Sequence, residues 1–247
     1  KAQPADTLVL SNDQYCNALD FTTAGVEGNT TDYLTVRGYS DTQRTILNGS
    51  CQSGNDAINI DGNRYLKIMY LHITNFTNDG FSAHNNATVN STGLWFLNST
   101  VSNMGVPGVA GSGDAITYHE GTSGISEYIT SFANLKGVSE VAHTVTNHSN
   151  FVGSYMPQAG ILFTQTPATL HYVNNIIINH SGSCLDSADD IVADKIICNN
   201  ASVASQAAIV LKGNSNNLTN FNISLTNGTY GIWMGGRDAI VANGASD

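Results

Sequence analysis

Four side chains in the first half of this 247-residue chain could do acid–base chemistry together: Asp61, His84, His119 and Glu120. Carboxylates and imidazoles exchange protons near neutral pH, so such a set could supply a general base and a general acid for a uronic-acid polymer. The same donors could hold a divalent metal. The plain alternative is a polar outer ladder with two surface histidines. A second acidic group, Asp186, Asp189 and Asp190, lies in CLDSADD. Three carboxylates in five residues could bind Ca²⁺ through oxygen ligands, although the glycine-spaced loop of an EF-hand is missing. Its alternative is a solvated turn.

What could bring Asp61, His84 and His119 together is a repeat. A small residue followed by a large apolar one recurs as Ala57-Ile58, Gly80-Phe81, Ala115-Ile116, Gly137-Val138, Gly160-Ile161, Cys184-Leu185, Ala208-Ile209 and Gly231-Ile232. The apolar members are 23, 35, 22, 23, 24, 24 and 23 residues apart. The long step contains an insertion, MGVPGVAGSGD, beginning at Met104. Within a unit, Ile58 and Ile60 alternate with Asn59 and Asp61, and Leu66, Ile68, Leu71 and Ile73 continue after a turn. That is strand periodicity. A period in the low twenties with strand chemistry predicts a solenoid, in which each unit buries its apolar edge on its neighbours. A β-sandwich or antiparallel barrel would need hairpin signals at irregular spacing. The small residue lets the chain turn closely over the coil beneath.

Stacked coils place equivalent residues about 4.8 Å apart. Three residues beyond each anchor come Asp61, His84, His119, Val141, Thr164, Ala188, Lys212 and Gly235. Asp61, His84 and His119 are then consecutive rungs of one outward ladder, with Glu120 adjoining. One residue beyond the anchor, Leu162, Val210 and Trp233 form an apolar outward strip. It could contact another subunit, Trp233 could stack on sugar, or a local loop or glycan could cover it.

The stretches YLTVRGYSDTQRTILNGS (Tyr33 to Ser50) and GSGDAITYHEGTSGI (Gly111 to Ile125) resemble coils of right-handed parallel β-helix proteins of the pectate-lyase-like class. The resemblance covers residues 30 to 240. It implies an all-β, single-stranded parallel solenoid of about 8–9 coils and one domain over 1–247. Residues 1–32 would be an irregular N-terminal segment and first coil, and 104–113 a loop insertion. Members include polysaccharide lyases, glycoside hydrolases, uronan epimerases and binding or assembly proteins, so the fold alone does not give the activity. Of the polygalacturonase motifs N-T-D, D-D, G-H-G and R-I-K, only Asp189-Asp190 is partly matched. The epimerase motif D-P-H-D is absent. The basic residues Arg44, Arg64, Lys67, Lys136, Lys195, Lys212 and Arg237 lie in no lyase motif, so no catalytic role carries over.

The net charge of −10, with only 9 Lys and Arg, argues against a nucleic-acid partner. No apolar run is long enough for a membrane span. Twelve Asn-X-Ser/Thr sequons occur, at Asn29, Asn48, Asn75, Asn86, Asn90, Asn98, Asn147, Asn179, Asn200, Asn217, Asn222 and Asn227. Composition alone gives about six, so N-linked glycans and a secreted chain without its leader are expected. Four cysteines fit disulfides in an oxidising compartment, with Cys16–Cys51 and Cys184–Cys198 the most local of three pairings.

Neither end reads as a closed cap. Open coil ends are strand edges that could pair head to tail with further copies of the chain. Dense sequons and absent catalytic motifs point the same way. The sequence therefore predicts an extracellular structural or assembly subunit of a fibre or coat. The alternatives are a lyase or epimerase on acidic glycans, with Ca²⁺ as the candidate ion, or a carbohydrate-binding adhesin using the same outer face.

Overall fold

The computed structural model describes residues 3–22, 28–51, 55–85, 89–105, 113–141, 144–164, 170–201, 207–213, 215–225, 230–235 and 243–246. Asn86, Asn227, Arg237, the side chain of Asn200 and insertion residues 106–112 lie outside them.

Every strand pairing is parallel, and each strand pairs with the equivalent strand of the next coil. The chain winds through three faces per coil. On the first face the anchors form one unbroken inward column: Leu19, Ile58, Phe81, Ile116, Val138, Ile161, Leu185, Ile209 and Ile232. This is the predicted column, extended one rung toward the N-terminus. Opposite it, on the second face, run Val36, Ile68, Phe96, Ser126, His148, Val173, Ala193 and Leu218. The third face contributes Leu47, Ile73, Val101, Ser131, Gly153, Ile178, Cys198 and Ile223. Most of these side chains are fully buried in one continuous core. Among the described residues no helix is long and apolar enough to cross a membrane.

The small residue before each anchor points into the core where the chain rounds a corner. A Cβ on Gly80 would strike Val101 and the Ala115 carbonyl, and one on Gly160 would strike Ile178 and the Cys184 carbonyl. Both the coil above and the third face therefore exclude bulk there. One coil on, the same place holds the disulfide Cys184–Cys198, with the Cα atoms 5.9 Å apart and both residues buried. A covalent staple there replaces the glycine-to-isoleucine packing. Cys16 and Cys51 are also joined.

The bend between the second and third faces is made by single residues in the left-handed region. These are Tyr70, Asn98, Tyr128, Asn150, Asn175, Lys195 and Asn220, with φ between 48° and 59°. Their register neighbours show that they form one column. Asparagine tolerates this conformation better than most residues, and Asn175 Nδ2 donates to Asn150 Oδ1 at 2.6 Å along the column.

In its middle coils the core turns polar. The inward column two residues beyond the anchors runs Phe21, Ile60, Ala83, Tyr118, Glu140, Phe163, Ser187, Leu211 and Met234, so Glu140 points inside. Its carboxylate accepts from Thr144 (2.5 Å) and Thr146, and binds His148 Nε2 and His171 Nδ1, the latter at 3.2 Å. Ser126 Oγ meets His148 Nδ1 at 2.8 Å, and His171 Nε2 reaches Asp189 Oδ2 at 3.3 Å. Phe163 stacks on His171 with centroids 4.3 Å apart. Burial works against charge on Glu140, but hydrogen bonds from His148 and His171 outweigh it and hold the carboxyl below its ordinary range. Burial likewise works against the His171 cation, and the Glu140 hydrogen bond outweighs it, raising His171.

Breaking one member of such a buried network leaves the others unpaired. Glu140→Ala is expected to lower the unfolding free energy by ~3–5 kcal/mol. Gly160→Val, which overfills the corner, is expected to cost ~1–3 kcal/mol. Urea titration monitored by circular dichroism checks both.

Candidate functional site

The strands Phe81–His84 and Asp114–His119 lie side by side, with Ser82 opposite Thr117 and Ala83 opposite Tyr118. This register sets His119 next to His84 on the outward side, and Asp61 pairs with His84 from the preceding coil. The two imidazoles stack face to face, centroids 4.1 Å apart and planes 13° from parallel. Ser82 Oγ lies 2.8 Å from His84 Nε2, which fixes one edge of that ring. After His119 the chain turns back through Glu120 at φ 30° and Gly121 at φ 71°. The Glu120 N–H donates to Val141 O at 2.9 Å, and its carbonyl accepts from Asn85 Nδ2. With the turn pinned on both sides, the ligand atoms of His84, His119 and Glu120 lie within 4.8 Å of one another.

Asp61 stands in the stack as the ladder requires but outside that triplet. Its Oδ1 is buried with no hydrogen-bond partner among the described residues. Burial, then the neighbouring His84, hold His119 below its ordinary pKa, so its ring is neutral with a free lone pair at neutral pH.

A group that the periodicity did not single out lies on the same strands. Thr117 donates to Asp79 Oδ2 at 2.7 Å, and Asp79 Oδ1 accepts the Asp114 N–H at 2.9 Å. Lys136 Nζ forks onto both oxygens of Asp114 at 3.2 and 2.9 Å. Asp79, Asp114 and Lys136 are all buried. Burial, then the charge of Asp114, push the Asp79 carboxyl up to about 7. Asp114 is also raised by burial, against the pull of Lys136. The available signal was position: Asp56, Asp79, Asp114 and Lys136 each precede an anchor by two residues. Beside this ladder an open cleft of about 210 Å³ is lined by Ala18, Asp20, Asn55, Asp56, Asn59 and Asn78.

The proposed Ca²⁺ carboxylates are not brought together. Asp186 pairs with Lys212 at 2.9 Å, Asp189 binds His171, and Asp190 accepts the Ser215 N–H at 2.8 Å. Among the described residues, the group with metal-ligand spacing is His84, His119 and Glu120. The outward strip also needs correcting. Leu162, Asp186, Val210 and Trp233 are successive rungs, but Val210 is only 3% exposed. Lys212, on the same face of the same strand, reaches diagonally to Asp186 beneath Val210. Leu162 is half-buried, and Trp233, 44% exposed, presents the open surface.

The sequons occupy other faces. Asn147 and Asn217 project from the second face and Asn222 from the third, all exposed. Asn48, Asn75, Asn98 and Asn179 sit on the third face or at its corners. Asn29 closes a local turn with Thr31 and Asp32, and Asn90 lies in the segment after the first face. None of these stands on the outward columns of the first face.

No family model and no curated protein matches the chain. Among solved structures, a rhamnogalacturonan lyase superposes with a TM-score of 0.52 at 12% identity, covering 98% of this chain and 78% of that one. The chain is a parallel β-helix. Two further similar structures are the mannuronan C-5 epimerase A-module of Azotobacter vinelandii and an alginate lyase from Paenibacillus sp. str. FPU-7. The first has a TM-score of 0.49 at 15% identity, covering 98% and 87% of the two chains. The second has 0.48 at 12%, covering 96% and 92%. At these identities the likeness concerns the fold of the β-helix, and its chemistry must be argued from its own side chains.

The titrating groups of this β-helix give its stability a definite pH dependence. Asp79 is raised, so its contribution is full below the unfolded value of 3.8 and is lost as pH rises through about 7. His171 is raised from 6.5, and its contribution is lost at still higher pH. Glu140 is lowered, so its contribution is lost only as pH falls below the ordinary carboxylate range. The share of Asp79 in thermal stability should therefore decline between pH 4 and 7, while His119, which is lowered, adds an opposite share that is full above 6.5. Asp79→Asn, which keeps both hydrogen bonds without the charge, should flatten the stretch between pH 4 and 7. Identical profiles for the two proteins would exclude Asp79 as a source of the decline.

Proposed function

We propose that this β-helix acts on an acidic polysaccharide laid along the outer side of its first face, with His84, His119 and Glu120 as the proton-transferring groups. The observation carrying this reading is the stacked imidazole pair with a carboxylate beside it on a rigid outward ladder. In the proposed reaction, neutral His119 takes the proton α to a uronate carboxylate. The electron pair left behind forms a C=C bond as the β C–O bond breaks, and the leaving oxygen takes a proton from His84 in its imidazolium form. Return of a proton to the opposite side of the sugar, with no bond cleaved, would instead give epimerisation. Along the same column Lys212 stands four rungs from His119, about 19 Å away, a length suited to a short oligosaccharide. The described sequons stand off the outward columns of the first face, and two disulfides fit a secreted setting. The likeness to a rhamnogalacturonan lyase agrees with this class of substrate without assigning a reaction.

A second reading, a subunit that stacks end to end, is favoured by exposed apolar residues at both extremes of the coil stack. Leu8 stands exposed at one, Trp233 and Met234 at the other. Under it, sedimentation would show concentration-dependent oligomers and no glycan turnover.

Incubation with pectate, alginate and a neutral glucan, followed by ultraviolet absorbance of the unsaturated product and by NMR for epimerised residues, tests the enzymatic reading. Turnover is expected on the uronates alone. His119→Ala should reduce kcat by ~10²–10⁴-fold, the usual contribution of a positioned acid or base. Unchanged turnover in His84→Ala/His119→Ala would remove both residues from the reaction.

A further inference from the structure

We infer that His84, His119 and Glu120 form a binding site for one divalent transition-metal ion of the Zn²⁺ or Co²⁺ type, with positions left open to solvent. The inference concerns the site of the proposed function but rests on its geometry and not on the reaction.

Three features support it. The donor set is two imidazole nitrogens and one carboxylate, which suits Zn²⁺, Co²⁺ or Ni²⁺ and not the all-oxygen preference of Ca²⁺ or Mg²⁺. The donor atoms already lie within 4.8 Å of one another. Turning the two rings out of their parallel stack, about fixed Cα positions, would converge their lone pairs on one ion. Finally, the backbone holding them is fixed. Both histidines end strands that are hydrogen-bonded on each side, and the Glu120 peptide is anchored to Val141 and Asn85. Ser82 Oγ on His84 Nε2 orients that ring, the outer support that ligating histidines usually have.

The surrounding charge agrees. Two rings stacked at 4.1 Å cannot both carry charge without repulsion, whereas one shared cation is attracted to both lone pairs and to Glu120. Protein ligands at three positions leave at least one for water or for an oxygen of a bound anion, the arrangement of an open rather than a structural site.

Untagged protein, stripped with a chelator and titrated with Zn²⁺ alone by calorimetry, should bind one ion per chain. Co²⁺ should give a visible d–d spectrum that Zn²⁺ abolishes. His119→Ala and His84→Ala should each weaken binding at least tenfold, Glu120→Gln less, and affinity should fall as pH drops below 6 and the imidazoles take protons. Asp186→Asn/Asp190→Asn should bind as the parent does. Thermal melting verifies that each variant is folded. Absence of stoichiometric binding, or binding unchanged in the folded His84→Ala/His119→Ala variant, overturns the inference. Because no glycan enters these titrations, ion binding without uronate turnover would leave this site standing and remove the enzymatic reading. Turnover by the stripped protein together with no ion binding would do the reverse.

Discussion

In-register stacking governs this molecule. Each paired residue has its neighbours in the coils directly above and below, 20 to 39 positions away in sequence, and it cannot choose others without shifting a whole coil. Apolar rungs gain from this because like shapes stack, as Ile58, Phe81, Ile116 and Val138 do, and facing columns pack as well, with Phe81 stacked on Phe96 across the core at 4.9 Å. Charged rungs suffer, because like charges are held about 4.8 Å apart. The column Asp56, Asp79, Asp114, Lys136 shows one way the chain manages it. A lysine takes the rung after Asp114, while burial and mutual repulsion leave Asp79 protonated over much of the acid range.

The sequence made one of the three faces plain. A small residue and a large apolar one at each coil start mark the corner and the inward column, and the register follows the spacing rung for rung. The bend between the second and third faces was less legible. Its column holds tyrosine and lysine as well as asparagine, because any residue whose side chain projects to solvent can accept φ near 55° when tertiary pairing demands it. Part of the asparagine excess that raises the sequon count therefore has a conformational use: Asn75 and Asn98 are left-handed corner residues as well as sequon asparagines.

The interior network was hidden by an assumption rather than by missing signal. Counting two from the anchor Val138 puts Glu140 in the column of Ile60, Tyr118 and Phe163, which makes it an inward carboxylate. His148 and His171 could not be assigned to it in the same way, since they belong to another face whose phase has no small-residue marker. On the outer side, the spacing placed His84 beside His119, but it could not show that Glu120 turns back toward them. That depends on a left-handed Glu120-Gly121 turn tied to Val141 of the following coil. The carboxylates of CLDSADD illustrate the converse. Closeness in sequence says little in a strand-and-corner segment, where successive side chains leave in different directions, and Asp186, Asp189 and Asp190 each found a separate partner.

A chain of net charge −10 is at first sight a poor host for a polyanion. The local field on the first face is milder than that total. Lys136 neutralises Asp114, Lys212 neutralises Asp186, and Asp79 ionises only near neutrality, so much of the acidity beside the imidazole pair is cancelled or protonated in mildly acidic surroundings. A uronate approaching His119 would meet hydrogen-bond donors and the neutral ring of that histidine, with Glu120 the nearest exposed negative charge. That carboxylate is the group a bound divalent cation would offset, but an ion held on His84 and His119 would also occupy the lone pair that proton abstraction needs, so the metal-bound and proton-transferring states of the site exclude one another. On a ladder this rigid, alignment of a reacting carbon against His119 depends on the few rungs around that ring.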